Sequence, residues 1–116
     1  MMRSLLAIAV VLGLASSGHG QALRAVYFES RTISSTAIAP CTGTCASDVA
    51  IVQVFCTIET AGVRWRADGT DPTAAVGHLV NAGGSFALAG HNQTIARLRL
   101  IRVTVDATSF CTLLRP

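Results

Sequence analysis

The chain has no lysine; all nine of its basic residues are arginine. That excludes Schiff-base catalysis and the lysine of a phosphate-binding loop. Aromatic residues make up 5% of the chain, with one Trp, one Tyr and four Phe, so a row of stacking platforms for single-stranded nucleic acid is not to be had. Charge is equally sparse at 13%, and there is no basic or acidic block. Internal repeats, low-complexity tracts and heptads are absent. No apolar run reaches the roughly 20 residues needed to span a bilayer as a helix. Nucleophile-elbow and zincin spacings are missing too, and no acid can be paired with a base and a nucleophile to make a catalytic set.

What is present begins with an export signal. Arg3 supplies a positive start, Leu5 through Leu14 form a short apolar core, and Ser16 through Ala22 are small and polar. This three-part order is that of a cleavable secretory signal. Gly20 and Ala22 occupy the small positions, placing cleavage after Ala22. The expected layout is a signal-peptide helix over 1–22 and one domain over 23–116, secreted or periplasmic and free of the membrane after cleavage.

All four cysteines, Cys41, Cys45, Cys56 and Cys111, fall in the exported part. An even number in an oxidising compartment predicts disulfides, and a domain this small gains from a covalent staple. Four cysteines allow three pairings, and spacing alone does not choose among them. Cys41 and Cys45 can pair if Thr42-Gly43-Thr44 turns back tightly, which would leave Cys56 for Cys111.

Segments rich in Val, Ile, Thr and aromatics alternate with turn signals, the pattern of an all-β, antiparallel β-sandwich or barrel. Strands are expected at 24–31, 34–39, 48–59, 63–66, 78–80, 85–88, 94–103 and 107–114. Asp68-Gly69 and Asp71-Pro72 mark a turn between two of them. Alternation then divides faces. Val52, Val54, Cys56 and Ile58 share a core face; Leu98 and Leu100 oppose Arg97 and Arg99; Val63 and Trp65 oppose Arg64 and Arg66. An outer sheet face carrying arginine follows.

From Val63 the sequence reads VRWRADGTDPTAAVGHLVNAGGSFALAG, and later IARLRLIRVTVDATSF. An Arg-aromatic-Arg strand enters an Asp-Gly-Thr, Pro-Thr turn; a Val-Gly-His strand, an Ala-Gly-Gly turn, a Phe strand and an Ala-Arg-Leu-Arg-Leu-Ile strand follow. The carriers are Arg64, Trp65, Arg66, Asp68, Gly69, Thr70, Pro72, Thr73, Gly77, Gly83, Gly84, Phe86, Arg97 and Ile101. This order resembles small virion structural or decoration proteins of tailed bacteriophages, over about half of the exported part. The resemblance implies a non-enzymatic, virion-associated structural role, with a protein partner or self-assembly. The export signal and the Cys41–Cys45 loop lie outside that pattern and support the alternative, an exported bacterial disulfide-stabilised binding or inhibitor module.

Other constellations carry less. Cys41, Cys45, Cys56 and His78 would supply zinc-type ligands, but in no known spacing and in a compartment that oxidises thiols. Asp68 and Asp71 lack the longer ligand series of a calcium loop. Asn92-Gln93-Thr94 is a glycosylation sequon only in a eukaryotic secretory pathway. No cofactor, metal or small-molecule substrate is expected, and nucleic acid is disfavoured. The partner-binding candidates are Arg64, Arg66, Arg97, Arg99 and Asp68, because exposed guanidinium groups pair with carboxylates in bidentate fashion.

Overall fold

The computed structural model describes residues 22–116, so the expected signal peptide, but for Ala22, lies outside the described residues. Seven strands build two antiparallel sheets: β1 (Arg24–Ile33), β2 (Gln53–Glu59), β3 (Val63–Arg66), β4 (His78–Val80), β5 (Ser85–Ala89), β6 (Arg99–Arg102) and β7 (Ala107–Arg115). The larger sheet runs β1-β7-β2-β5 and the smaller β4-β3-β6. The all-β expectation holds, as a sandwich.

The core between the sheets is built by the alternation of the strands. Ile33, Val54, Cys56, Ile58, Cys111 and Leu113 point inward from the larger sheet, and Val63, Val80 and Leu100 meet them from the smaller. Trp65 joins the layers: its ring stacks on Phe86 of β5 at 4.9 Å and tilts against His78 of β4 at 4.5 Å. Leu98 is fully buried just before β6, sharing the inward face with Leu100 as the sequence pattern requires.

Both disulfides form, Cys41–Cys45 and Cys56–Cys111. Cys56 and Cys111 lie directly opposite on the neighbouring strands β2 and β7, with Cα atoms 4.1 Å apart. This bridge therefore pins the register of the two central strands of one sheet rather than joining the two layers.

Three sequence expectations need correction. The strand expected at 34–39 shrinks to one bridge, Ile38 to Leu100, as the chain leaves β1 and crosses to the edge of the smaller sheet. The strand expected at 48–59 starts only at Gln53, behind a one-turn helix α1 (Thr44–Ser47) and a turn that buries Ile51. The strand expected at 94–103 is half helix: α2 (Asn92–Ala96) is capped by His91, whose side chain accepts from the Gln93 N–H, and β6 begins at Arg99. In each case a short apolar run that fits a strand is a connection seated on the core.

Candidate functional site: an arginine-bearing sheet face and the cleft beside it

In the smaller sheet Arg64 is opposite Leu79 and Ile101, and Arg66 is opposite Arg99. Residues directly opposite share a face. The outer face therefore carries Arg64, Arg66 and Arg99 together with Leu79 and Ile101, while Val63, Trp65 and Leu100 turn inward. Like charges opposite one another repel. Arg66 and Arg99 are kept apart in purpose by local partners.

Arg66 donates through Nε and a terminal nitrogen to the two carboxylate oxygens of Asp68, the Nε bond measuring 3.0 Å. The Thr70 N–H also bonds Asp68. Held by Arg66 first of all, the Asp68 carboxyl falls to a pKa of about 2. Arg99 instead turns to the end of α2, donating at 2.9 Å to the Ala96 carbonyl and at 2.8 Å to that of Leu98, a cation satisfying the last carbonyls of a short helix. Arg64 donates to the carbonyls of Ala74 and Gly77, each at 3.0 Å, and so ties down the loop between β3 and β4.

Arg97 differs from the expectation: it is not on a strand but is the C-terminal cap of α2, and its side chain is exposed. It still belongs to the cluster. A Cβ placed on Gly69 would lie 3.8 Å from Arg97 Cδ, so its stem runs beside the Asp68-Gly69 turn. Arg66, Asp68, Arg97 and Arg99 thus collect at one end of the smaller sheet, and Arg64 stands one pleat away. The two sequence segments that carry the resemblance are neighbours in space.

Behind Arg99 opens a cleft of about 310 Å³ that sequence reasoning missed. Its walls are largely apolar, including Pro40, the Cys41–Cys45 bridge, Ile51, Ile95 and Leu113, and its polar groups are Ser47, Asp48, Asn92 and Arg99. Helices α1 and α2 flank it, over residues where the sequence pattern predicts loop and strand. Compared with protein-family models, curated proteins and solved structures, the chain matches none.

Asp48, on the cleft wall, is fully engaged. It accepts from the Ala50 N–H at 2.9 Å, from the Tyr27 hydroxyl at 2.9 Å and from Arg115 at 3.0 Å. These donors, Ala50 foremost, hold its carboxyl below the usual aspartate range, and donating to Asp48 raises the Tyr27 phenol above its own. The network locks the α1 loop to both β1 and β7. Glu29 does similar work, accepting from the Thr42 backbone and hydroxyl. Such groups shape the cleft and are spent in doing so; Arg99, bonded to the Ala96 and Leu98 carbonyls, is the cation on its wall, and Arg97 is exposed beside the Asp68-Gly69 turn.

The other constellations resolve on geometry. With all four cysteines in disulfides, none is available to zinc. His78 packs its ring on Trp65. Asp68 serves its turn and Arg66, and among the described residues no three His, Cys, Asp or Glu side chains gather as a metal site.

Proposed function

We propose that the chain is a non-enzymatic structural or partner-binding protein, and that its contact surface is the end of the smaller sheet bearing Arg64, Arg66, Arg97, Arg99 and Asp68. One observation carries this reading: the strand register sets Arg66 against Arg99, and the Asp68-Gly69 turn against Arg97. Arg64, Arg66 and Arg99 are held in place by bonds within the chain, and Arg97 stands exposed beside them. Arginine is enriched at protein interfaces and pairs with carboxylates of a partner. The cleft beside Arg99 gives such a partner an apolar seat next to the charge, the arrangement of an interface anchor with a polar rim. The likeness of the same segments to small phage virion proteins makes an assembled particle, or further copies of this chain, the favoured partner.

Two disulfides are compatible with an oxidising extracellular or periplasmic location. They support the second reading, an exported disulfide-stabilised binding or inhibitor module acting through the same face.

Sedimentation tests the proposal. Arg97→Glu together with Arg99→Glu is expected to abolish association with particles or with other copies, while circular dichroism stays that of the wild type. Because Arg99 also holds the end of α2, Arg97→Glu alone is the cleaner variant and is expected to weaken association about tenfold or more. Unchanged co-sedimentation of both folded variants would overturn the assignment. A wild-type monomer that binds no particle would favour the exported module.

A further inference from the structure

The outer face of the larger sheet is the chemical opposite of the arginine face. Register and exposure assign to it Ala25, Phe28, Ser30 and Thr32 of β1, Thr108, Phe110, Thr112 and Leu114 of β7, Gln53, Phe55, Thr57 and Glu59 of β2, and Ser85, Ala87 and Ala89 of β5. The sole charge, Glu59, stands at the last position of its strand. Glu29 and Arg31 of β1 point to the other side, where they fasten the 34–46 segment. Large apolar rings are nonetheless left in solvent: Phe28 is 68% exposed and Phe55 42%, and Phe110 stacks on Phe28 at 6.1 Å.

Phe28 and Phe55 flank Thr112 in one cross-strand row, because Phe28 is opposite Thr112 and Thr112 opposite Phe55. Two strand spacings put them about 10 Å apart. A register shift between Ala25 and Tyr27 bends β1 beside this row, and a shallow groove of about 290 Å³ opens there between Ala25, Val26, Tyr27, Phe28 and Thr112.

We propose that this face binds a neutral glycan chain. A pyranose ring has an apolar C–H face that lies on an aromatic ring and a rim of hydroxyls that exchange hydrogen bonds with Thr, Ser and Gln; the face offers both and almost no charge. In an extended β-linked chain a disaccharide unit spans the interval between Phe28 and Phe55, with the intervening hydroxyls over Thr112 and the groove receiving the next sugar. A second copy of the chain is the poorer occupant. Four strands of 10, 9, 7 and 5 residues make a flat outline of roughly 500 Å² from the strand spacing and rise, below the ~800 Å² of accessible surface that each partner buries in a standard stable interface. A charged peptide or an anionic lipid surface would call for charges that the face does not have.

The test is affinity electrophoresis of a protein starting at Leu23 in gels containing soluble neutral polysaccharides (β-glucan, xylan, galactomannan), with pull-down on cellulose and chitin. Retardation by at least one of them is expected, insensitive to added salt. Phe28→Ala with Phe55→Ala should reduce affinity about tenfold or more, as removal of exposed aromatic anchors does. Arg97→Glu should leave it unchanged, which separates this face from the arginine face. Failure of every polysaccharide to retard the wild type, retardation equal in the double variant, or binding that salt dissolves would each overturn the proposal. So would a wild-type dimer that Phe28→Ala converts to monomer, since a second copy would then be the occupant.

Discussion

Tyr27 is the only tyrosine in the chain, which makes its hydrogen bond to Asp48 directly readable. Its ultraviolet titration is expected to have a midpoint above the ordinary 10.0, and Asp48→Ala should bring it back toward that value. The signs at the two ends of the pH scale are opposite. Tyr27, with its folded pKa raised, contributes stability below its unfolded value that is lost as pH climbs through the folded one. Asp68 and Asp48, with folded values lowered, contribute above the ordinary 3.8; the Asp68 share is lost as pH falls through about 2. Thermal melts should therefore plateau between the carboxylate and phenol ranges and drop on either side, and a profile without the alkaline drop would deny Tyr27 its role. Thr60 offers a different residue-scale test. It holds φ at 78° where β2 crosses to β3, a left-handed conformation costly for a branched side chain. Thr60→Gly is expected to raise stability by about 1 kcal/mol in urea unfolding.

At the scale of elements, the two disulfides predict unequal costs. In the chain-entropy account the bridge closing 55 residues is worth about 4 kcal/mol and the one closing 4 about 2. Replacing Cys56 and Cys111 by Ser should thus lower the urea midpoint far more than replacing Cys41 and Cys45. The smaller change should instead loosen the cleft wall, detectable as faster amide exchange at 41–48. The β3–β4 loop has its own weak point at Gly77. With φ at 139°, an added Cβ there would press to 3.1 Å on the Trp65 carbonyl oxygen and 3.2 Å on Arg64 Cβ. Gly77→Ala is expected to cost about 1–3 kcal/mol and to blue- or red-shift the emission of Trp65, the sole tryptophan. How far these elements could be read in advance depended on length and period. β3 and β4 begin and end where their alternation does, and β7 runs one residue past its expected end, to Arg115. α1 and α2, of four and five residues, span barely more than one 3.6-residue period and so do not declare themselves, and the alternation of Leu98 and Leu100 with Arg97 and Arg99 carries a strand pattern into the end of α2. Because those helices flank the cleft, the cleft was invisible for the same reason. The arginines of the sheet face are legible, since period-2 alternation alone puts Arg64 and Arg66 opposite Val63 and Trp65; only Arg97, which caps α2 instead of lying on a strand, belongs to a different kind of element than its alternation implies.

At the scale of the whole molecule, the two sheets present surfaces of contrasting kind. One carries arginines and the other hydroxyls and phenylalanine rings, so associations through them should answer differently to ionic strength: contacts of the smaller sheet weaken with salt and those of the larger do not. A single binding curve that responds uniformly to salt would mean that only one face is in use. The placement of β7 has a further consequence for how the chain is made. Last of the strands in sequence, it lies second in the larger sheet, hydrogen-bonded to β1 on one side and β2 on the other, and it brings Cys111. A nascent chain that has emerged only as far as Arg102 therefore has β1 without its neighbour, Cys56 without its mate and no closed core. Until residues 107–115 join it, the larger sheet is only the β2–β5 pair, and the layer on which the smaller sheet packs waits for the strand that comes last in sequence and sits between its neighbours.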